Sequence, residues 1–491
     1  MPKSSAGGSA LRRYDRACRH EVGLQINNGN RSMVAPAFSH QRETTNFILK
    51  KKRALITSDP GTGKTRAVLD AFVKLLEKDP TERMLVIAPL SILQASWEED
   101  ILKFTPELTY SVAYSKNREE AFETDSNITI TNHDAVKWLQ KNPEYAESFS
   151  VLCIDEFTAF KHRTSQRSKA IGKLTGRGLF DRRIAMSGTP NSNTIRDIWH
   201  PTKLVDDGER LGSAFYPFQQ QVCIPKILEL GHRTVTEWTD KDNAEEMVAV
   251  QLQDITIRHR LEDCIDMPEQ SITMRRVTLP KRIMHQYETL ARDSVLYTGT
   301  TTINAINAGV KVKKLLQLCT GAIYKEDGVP EGIHTERYDL VMELVKQRKH
   351  SLVAFNWKHE RNHLIQLAKK EGIAYSVIDG DTPEEKRKTV VDNLQLGELQ
   401  VVFCHPQSAG HGLTMTKATS IIWCSPTYNA EHYLQFNRRI YRAGQTKRTE
   451  VIQIAASDTW ETEVYTKLQS KMVKMEELLA VLKRTTEAKY G

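Results

Sequence analysis

Ser58-Asp59-Pro60-Gly61-Thr62-Gly63-Lys64-Thr65 stands between a short apolar run at 54–57 and a stretch whose Val68, Phe72, Leu75 and Leu76 share one helical face. Strand, glycine-rich loop and helix in that order form a phosphate cradle. Gly61 and Gly63 let backbone N–H groups approach phosphate oxygens, and the helix N-terminus adds the positive end of its dipole. In this pattern Lys64 is expected on the β- and γ-phosphates of ATP and the Thr65 hydroxyl on Mg²⁺. Ser58 stands where the strict pattern begins with glycine, so the match is to its looser form. Ser58 to Thr65 together are the expected nucleotide-binding loop.

Downstream, Val151-Leu152-Cys153-Ile154-Asp155-Glu156 is an apolar strand ending in two acids. Such an ending puts Asp155 at the carboxyl edge of a sheet, where open α/β folds bind ligands. There Asp155 can hold Mg²⁺ and Glu156 can polarise an attacking water. Working outward, the same alternation of apolar run and amphipathic stretch recurs. Further strands are expected at 84–88, 127–131 and 183–187, then at 351–355, 374–378, 400–404, 420–424 and 450–454. This predicts an α/β protein with two parallel-sheet lobes in tandem and a largely helical insertion and linker between them. The expected domains are a flexible basic arm at 1–34, a first lobe at 35–206, the insertion at 207–335 and a second lobe at 336–491. The second lobe closes with a helix carrying Val464, Leu468, Met472, Met475, Leu479 and Leu482 on one stripe, opened by Asp458 and expected to pack back on a lobe.

The 491 residues suit two or three domains, with 40% hydrophobic and 26% charged residues, a soluble globular balance. No apolar run approaches the roughly 18 to 20 residues that cross a bilayer. Seven scattered cysteines contain no CxxC pair. They point to a reducing compartment, cytoplasm or nucleoid or a eukaryotic nucleus, and away from secretion and zinc. The net charge of +8 is confined to residues 1–53, with eleven Lys and Arg against three Asp and Glu, while the other 438 residues carry 58 of each sign. Lys3, Arg12, Arg13, Arg16 and Arg19 read either as a solvated tail or as an arm resting on nucleic acid.

Near the other end stands Gln435-Phe436-Asn437-Arg438-Arg439-Ile440-Tyr441-Arg442-Ala443-Gly444-Gln445. Arg439 and Arg442 lie three apart, so a helix presents both guanidinium groups on one side. Guanidinium matches phosphate bidentately and keeps its charge. The glycine loop is some 375 residues earlier, so these arginines reach a γ-phosphate only when the lobes close. Hydrolysis is then gated by closure, with an arginine contributing on the order of 10³–10⁵ in rate.

In these motifs and their order, from about residue 38 to about residue 475, the chain resembles superfamily 2 helicase-like ATPases of the Snf2 type. His40-Gln41 resembles the glutamine motif, with Gln41 reading adenine. Ala88-Pro89-Leu90 with Trp97 resembles motif Ia, Thr131-Asn132-His133-Asp134 motif Ib, Asp155-Glu156-Phe157-Thr158 motif II and Ser187-Gly188-Thr189-Pro190-Asn191 motif III. Between the lobes, Ile257-Arg258-His259-Arg260 and Leu315-Leu316-Gln317-Leu318-Cys319 resemble Snf2 elements. In the second half, 352–355 resembles motif IV, Ala409-Gly410-His411-Gly412-Leu413-Thr414 motif V, and 435–445 motif VI. Phe157-Thr158 replaces the usual small residue and histidine, which puts the coupling of motif II to motif III in question.

The resemblance implies two RecA-like lobes and an ATPase using ATP and Mg²⁺. Lys64, Asp155, Glu156, Arg439 and Arg442 are its expected catalytic residues. Gln41, Ser58, Asp59, Pro60, Gly61, Thr62, Gly63, Lys64, Thr65, Gly412 and Gln435 are its expected nucleotide contacts, and Thr65 and Asp155 its metal ligands. It implies a monomeric motor of compact viral, phage or bacterial type that tracks along DNA without reading sequence. Duplex or branched DNA is favoured, RNA is open, and a replication, recombination or repair setting with a protein partner is expected. Two alternatives stay open, a strand-separating DNA or RNA helicase and a non-hydrolysing nucleic-acid-binding scaffold.

Overall fold

The structure, a computed structural model, describes residues 34–490 other than 192, 231, 232, 298–301, 305–307 and 411. The basic arm, except for its last residue, and His411 lie outside the described residues.

In chain order the first half carries β1 (Arg53–Ile56), β2 (Met84–Ala88), β3 (Tyr110–Ala113), β4 (Ile128–Asn132), β5 (Val151–Asp155) and β6 (Arg182–Met186). A long hairpin of β7 (Cys223–Leu230) and β8 (Arg233–Asp240) follows, then β9 (Thr256–Ile257) and β10 (Gln270–Val277). Two small hairpins come next, β11 (Val295–Tyr297) with β12 (Thr302–Asn304) and β13 (Ala322–Tyr324) with β14 (Pro330–Gly332). The second half carries β15 (Ser351–Ala354), β16 (Tyr375–Ile378), β17 (Val401–Cys404), β18 (Ser420–Trp423) and β19 (Thr449–Ala456).

The first sheet is seven-stranded, in the order β3-β4-β2-β5-β6-β1-β9, and the second six-stranded, in the order β10-β19-β18-β15-β17-β16. Every pairing within them is parallel. Parallel strands need crossovers, so helices cover both faces and the inner strands read as unbroken apolar runs. The two-residue side-chain period then divides each strand between two cores. Leu85, Ile87, Leu152 and Ile154 face one cluster, and Met84, Val86, Ala88, Val151 and Cys153 the other. In the second lobe Leu352, Val402 and Ile421 face away from Val353, Val401 and Ile422 in the same way. Cys404 and Cys424 are buried thiols. No described helix is long and apolar enough to cross a membrane.

The segment 207–335 is richer in strands than its helical stretches suggest. It supplies β9 to the edge of the first sheet and β10 to the edge of the second. β9 is two residues long, and β10 is mostly exposed. Neither shows the apolar alternation that marks a strand, and edge strand β3, only partly buried, shows it no better.

The closing helix, Trp460–Tyr490, packs on both lobes rather than on the single lobe that its apolar stripe suggests. Tyr465 and Leu468 join the core of the second lobe, whereas Met475, Leu478, Leu479 and Leu482 are buried in that of the first. The Thr459 hydroxyl, not Asp458, accepts from the Glu461 N–H at 3.3 Å and caps this helix. Its root is pinned by Glu461, which pairs with Arg337 at 2.7 Å with both side chains out of water. Removing one partner of such a pair costs about 3–5 kcal/mol.

Candidate nucleotide site between the lobes

The glycine loop leaves β1 at the carboxyl edge of the first sheet and runs into helix Lys64–Leu76. Gly63 has φ +77°, and a Cβ there would collide with the Gln41 amide, so only glycine fits. Gln41 donates to Thr62 O at 3.3 Å and accepts from the Phe38 N–H at 3.1 Å. The expected adenine-reading glutamine is thus packed against the loop. Lys64 Nζ donates to the carbonyls of Ser58 and Asp59 at 3.0 and 3.2 Å. Burial lowers its pKa, opposed by the charges of Glu156 and Asp155. Thr65 is buried at the head of the helix.

Ser58 and Asp59 turn away from the loop's interior. The Ser58 hydroxyl accepts from the His259 N–H at 3.0 Å. Asp59 accepts from the Leu261 N–H at 3.0 Å and pairs with Arg258 at 2.6 Å and Arg438 at 3.3 Å. Pro60 lies against Gly188 of motif III, whose added Cβ would meet the proline ring at 2.7 Å.

Asp155 ends β5. Its Oδ2 accepts from the Trp97 indole N–H and its Oδ1 from the Glu156 N–H, both at 3.0 Å. Glu156 sits at φ +49°, a left-handed conformation that non-glycine residues rarely adopt. The turn delivers its carboxylate to the Ser187 hydroxyl, which donates at 3.0 Å. Motif III is thereby bonded directly to motif II, with no help from position 158. Burial pushes both carboxyls up, Glu156 to about 7, with Asp155 adding to the shift and Lys64 opposing it. Two adjacent carboxylates, Asp155 buried and Glu156 partly so, facing one lysine form a site short of positive charge, the chemistry of a Mg²⁺ position.

Across the cleft, helix Ala430–Asn437 and the turn after it carry motif VI. Arg439 is buried and, among the described residues, donates to two carbonyls, Gln435 O at 2.8 Å and Leu413 O at 3.1 Å. Burial lowers its pKa to about 9, helped by Arg442 and opposed by Glu156. Arg442 donates to Leu413 O at 3.3 Å, and its Cβ lies 3.4 Å from the position a Cβ on Gly61 would take. Among the described residues neither arginine has a carboxylate in ion-pair range. The lobes also meet at Gly412, where an added Cβ would stand 2.7 Å from Ile92 Cγ2. Gln435 donates to Glu431 at 3.4 Å, and its buried Oε1 has no hydrogen-bond partner among the described residues. Lys64 and Arg439 both feel the charge of Glu156 and Arg442 packs against Gly61, so three cationic side chains border the glycine loop, a donor set that suits the phosphates of a nucleotide.

Sequence models add the family. One described as an SNF2-related domain matches residues 40–323, and one described as a helicase conserved C-terminal domain matches residues 336–444. The chain belongs to the SNF2-related family. Protein p41 of Acyrthosiphon pisum secondary endosymbiont phage 1 is 27% identical, over 91% of this SNF2-related chain and 98% of its own length. YwqA of Bacillus subtilis, named for an ATP-dependent helicase/translocase, is 22% identical over 91% of this chain and 50% of its own. Mouse chromodomain-helicase-DNA-binding protein 1-like is 21% identical over 88% and 49%. The SNF2-related chain therefore spans nearly all of the phage relative and about half of the longer ones. Among solved structures, the SWI2/SNF2 ATPase core of Sulfolobus solfataricus in complex with dsDNA is similar over 91% of this chain and 97% of that one, at 19% identity and a TM-score of 0.42.

Three side chains in and around this SNF2-related site carry no mark of their contacts in the sequence. Trp97 belongs to motif Ia, and nothing in that motif marks it as the donor to Asp155. Arg438 pairs with Asp59 and, at 3.1 Å, with Glu262, although it sits beside the two arginines that drew attention. Glu431 lies one helical turn before Gln435, a spacing that places both on one face and could have flagged it. Among the described residues no group of three or more His, Cys, Asp and Glu side chains could hold a metal ion by itself.

Proposed function

We propose that this protein is an ATP-driven, sequence-independent DNA translocase acting on duplex or branched DNA, in replication, recombination or repair. The observation that carries the reading is the pair Arg439 and Arg442, presented by one lobe to Glu156 and the glycine loop of the other, with no carboxylate among the described residues in ion-pair range of either. The loop from Gly61 to Gly63 cradles the phosphates of ATP with backbone N–H groups. Lys64 gives up its two carbonyl partners for phosphate oxygens. The Thr65 hydroxyl and the Asp155 carboxylate would hold Mg²⁺, which would supply positive charge for the phosphates. Glu156, oriented by Ser187, orients the attacking water and accepts its proton. Arg439 and Arg442 stabilise charge that grows on the transferred phosphoryl group, so hydrolysis follows closure. Closing and opening once per ATP steps the protein along the phosphate backbone, which carries no sequence information.

The test is the steady-state ATPase rate without nucleic acid and with single-stranded DNA, duplex DNA and RNA, at two salt concentrations. Stimulation by duplex DNA that weakens with salt and vanishes in Arg442→Ala is the expected result. Stimulation by single strands or RNA alone would transfer the protein to the conventional helicases. The β7–β8 hairpin, with eight residues in each strand and Ile224 and Ile227 exposed, favours strand separation as the second reading. A labelled fork distinguishes the two, because a pure translocase displaces a triplex third strand but opens no duplex.

A further inference from the structure

Thr158 stands where the family has a histidine, and the nucleotide chemistry above leaves it without a task. It is buried, and its hydroxyl donates to Glu431 Oε1 at 2.9 Å. A residue two positions beyond Glu156 is therefore bonded to the opposite lobe. Glu431 opens helix Ala430–Asn437, and Gln435, one turn later, donates to the same oxygen at 3.4 Å. The second carboxylate oxygen faces Lys161 Nζ at 3.6 Å, and Lys161 faces Asp197, beyond motif III, at 3.8 Å. The Lys161, Glu431 and Asp197 side chains are 11, 15 and 13% exposed, so a broken contact here costs more than one on an open surface.

The backbone explains why this matters. After the left-handed Glu156, the Ala159 N–H donates to Glu156 O and the Lys161 N–H to Thr158 O, both at 3.1 Å. Thr158 and Lys161 bracket that turn, and both lean on one carboxylate supplied by the other lobe. Closure pins the turn that aims Glu156, and opening takes the carboxylate away. We infer that Glu431 is a positioning residue that transmits lobe closure to motif II through Thr158 and Lys161, and so sets how far nucleic acid accelerates hydrolysis, an inference that rests on the ATP-hydrolysing reading above.

The test compares Thr158→Val, Glu431→Ala, the double variant and Thr158→Ser in the full chain, measuring ATPase with and without duplex DNA and the Kd of a fluorescent ATP analogue. Thr158→Val and Glu431→Ala are expected to lower the stimulated kcat about tenfold, the scale of one charge-assisted hydrogen bond, with basal rate and Kd unchanged. The double variant should be no worse than Glu431→Ala, because Glu431→Ala already breaks the one contact that Thr158→Val removes. Thr158→Ser keeps the hydroxyl and should keep the stimulation. Losses that multiply in the double variant, or Thr158→Ser as impaired as Thr158→Val, overturn the inference. So do variants stimulated like the wild type, and in that case the proposed function stands. A wild-type protein that hydrolyses no ATP overturns both.

Discussion

The indole N–H of Trp97 donates to Oδ2 of Asp155 at 3.0 Å, with both side chains buried. The bond joins the segment after β2 to the end of β5, neighbours in the first sheet. It fills one lone pair of the metal-ligand candidate and leaves that carboxylate a single orientation.

Trp97→Phe keeps the ring in its pocket and removes the donor. A buried carboxylate short of one hydrogen bond loses about 1–3 kcal/mol, and its position relaxes. The expected outcome is a fall in kcat of about tenfold with a higher Mg²⁺ concentration for half-maximal ATPase, at little change in nucleotide affinity. A Mg²⁺ titration of the variant checks this, and an unchanged midpoint would remove Trp97 from the metal site.

Arg442→Ala should retain nucleotide and DNA binding while losing on the order of 10³ in kcat. Arg439 asks for a gentler change, because alanine would also strand the carbonyls of Gln435 and Leu413. Arg439→Lys keeps the charge but loses the planar fork, so kcat should fall with KM nearly constant. Single-turnover hydrolysis separates this from a binding defect.

Arg438 links Asp59 of the glycine loop and Glu262 of the linker to the helix that carries motif VI. Arg438→Asp replaces two attractions with two repulsions. Small-angle scattering of the nucleotide-free variant should report a larger radius of gyration than wild type, and an ATP analogue should reverse it. Superimposable scattering curves would show that the closed lobes do not depend on this residue.

Burial pushes the Asp100 carboxyl up to about 6, against the opposing pull of Lys103 and Arg442. A folded-state pKa above the ordinary value of 3.8 means that the folded chain prefers the protonated form. Stability therefore falls as pH rises from about 4 through about 6, by up to about 3 kcal/mol before solvent screening. Asp100→Asn removes that loss, so the variant should melt above wild type at pH 8, with the gap narrowing toward pH 5. A gap that is constant with pH would mean that Asp100 is not the titrating group.

The parts of the fold legible in the sequence were those whose physics is local. β2 and β5 are buried on both faces and read as apolar runs, and the glycine loop announces itself by residue type. β9 and β10 were not legible, because a two-residue strand and an exposed edge strand carry no pattern and exist through their neighbours' hydrogen bonds. The site divides the same way. Lys64, Asp155 and Arg439 belong to compact motifs, whereas the Asp59–Arg438 pair joins residues 379 positions apart, a relation that only folding creates. Ser58 and Asp59 lie within the loop's motif, yet the linker claims their side chains.

The chain passes between the lobes twice, once from β9 to β10 and again along the closing helix. A body held at one point can swivel freely, but one held at two can only turn about the line joining them. The lobes are thus built as a door on two hinges. If ATP opens and shuts that door, each stroke retraces one arc about the line through the two hinges.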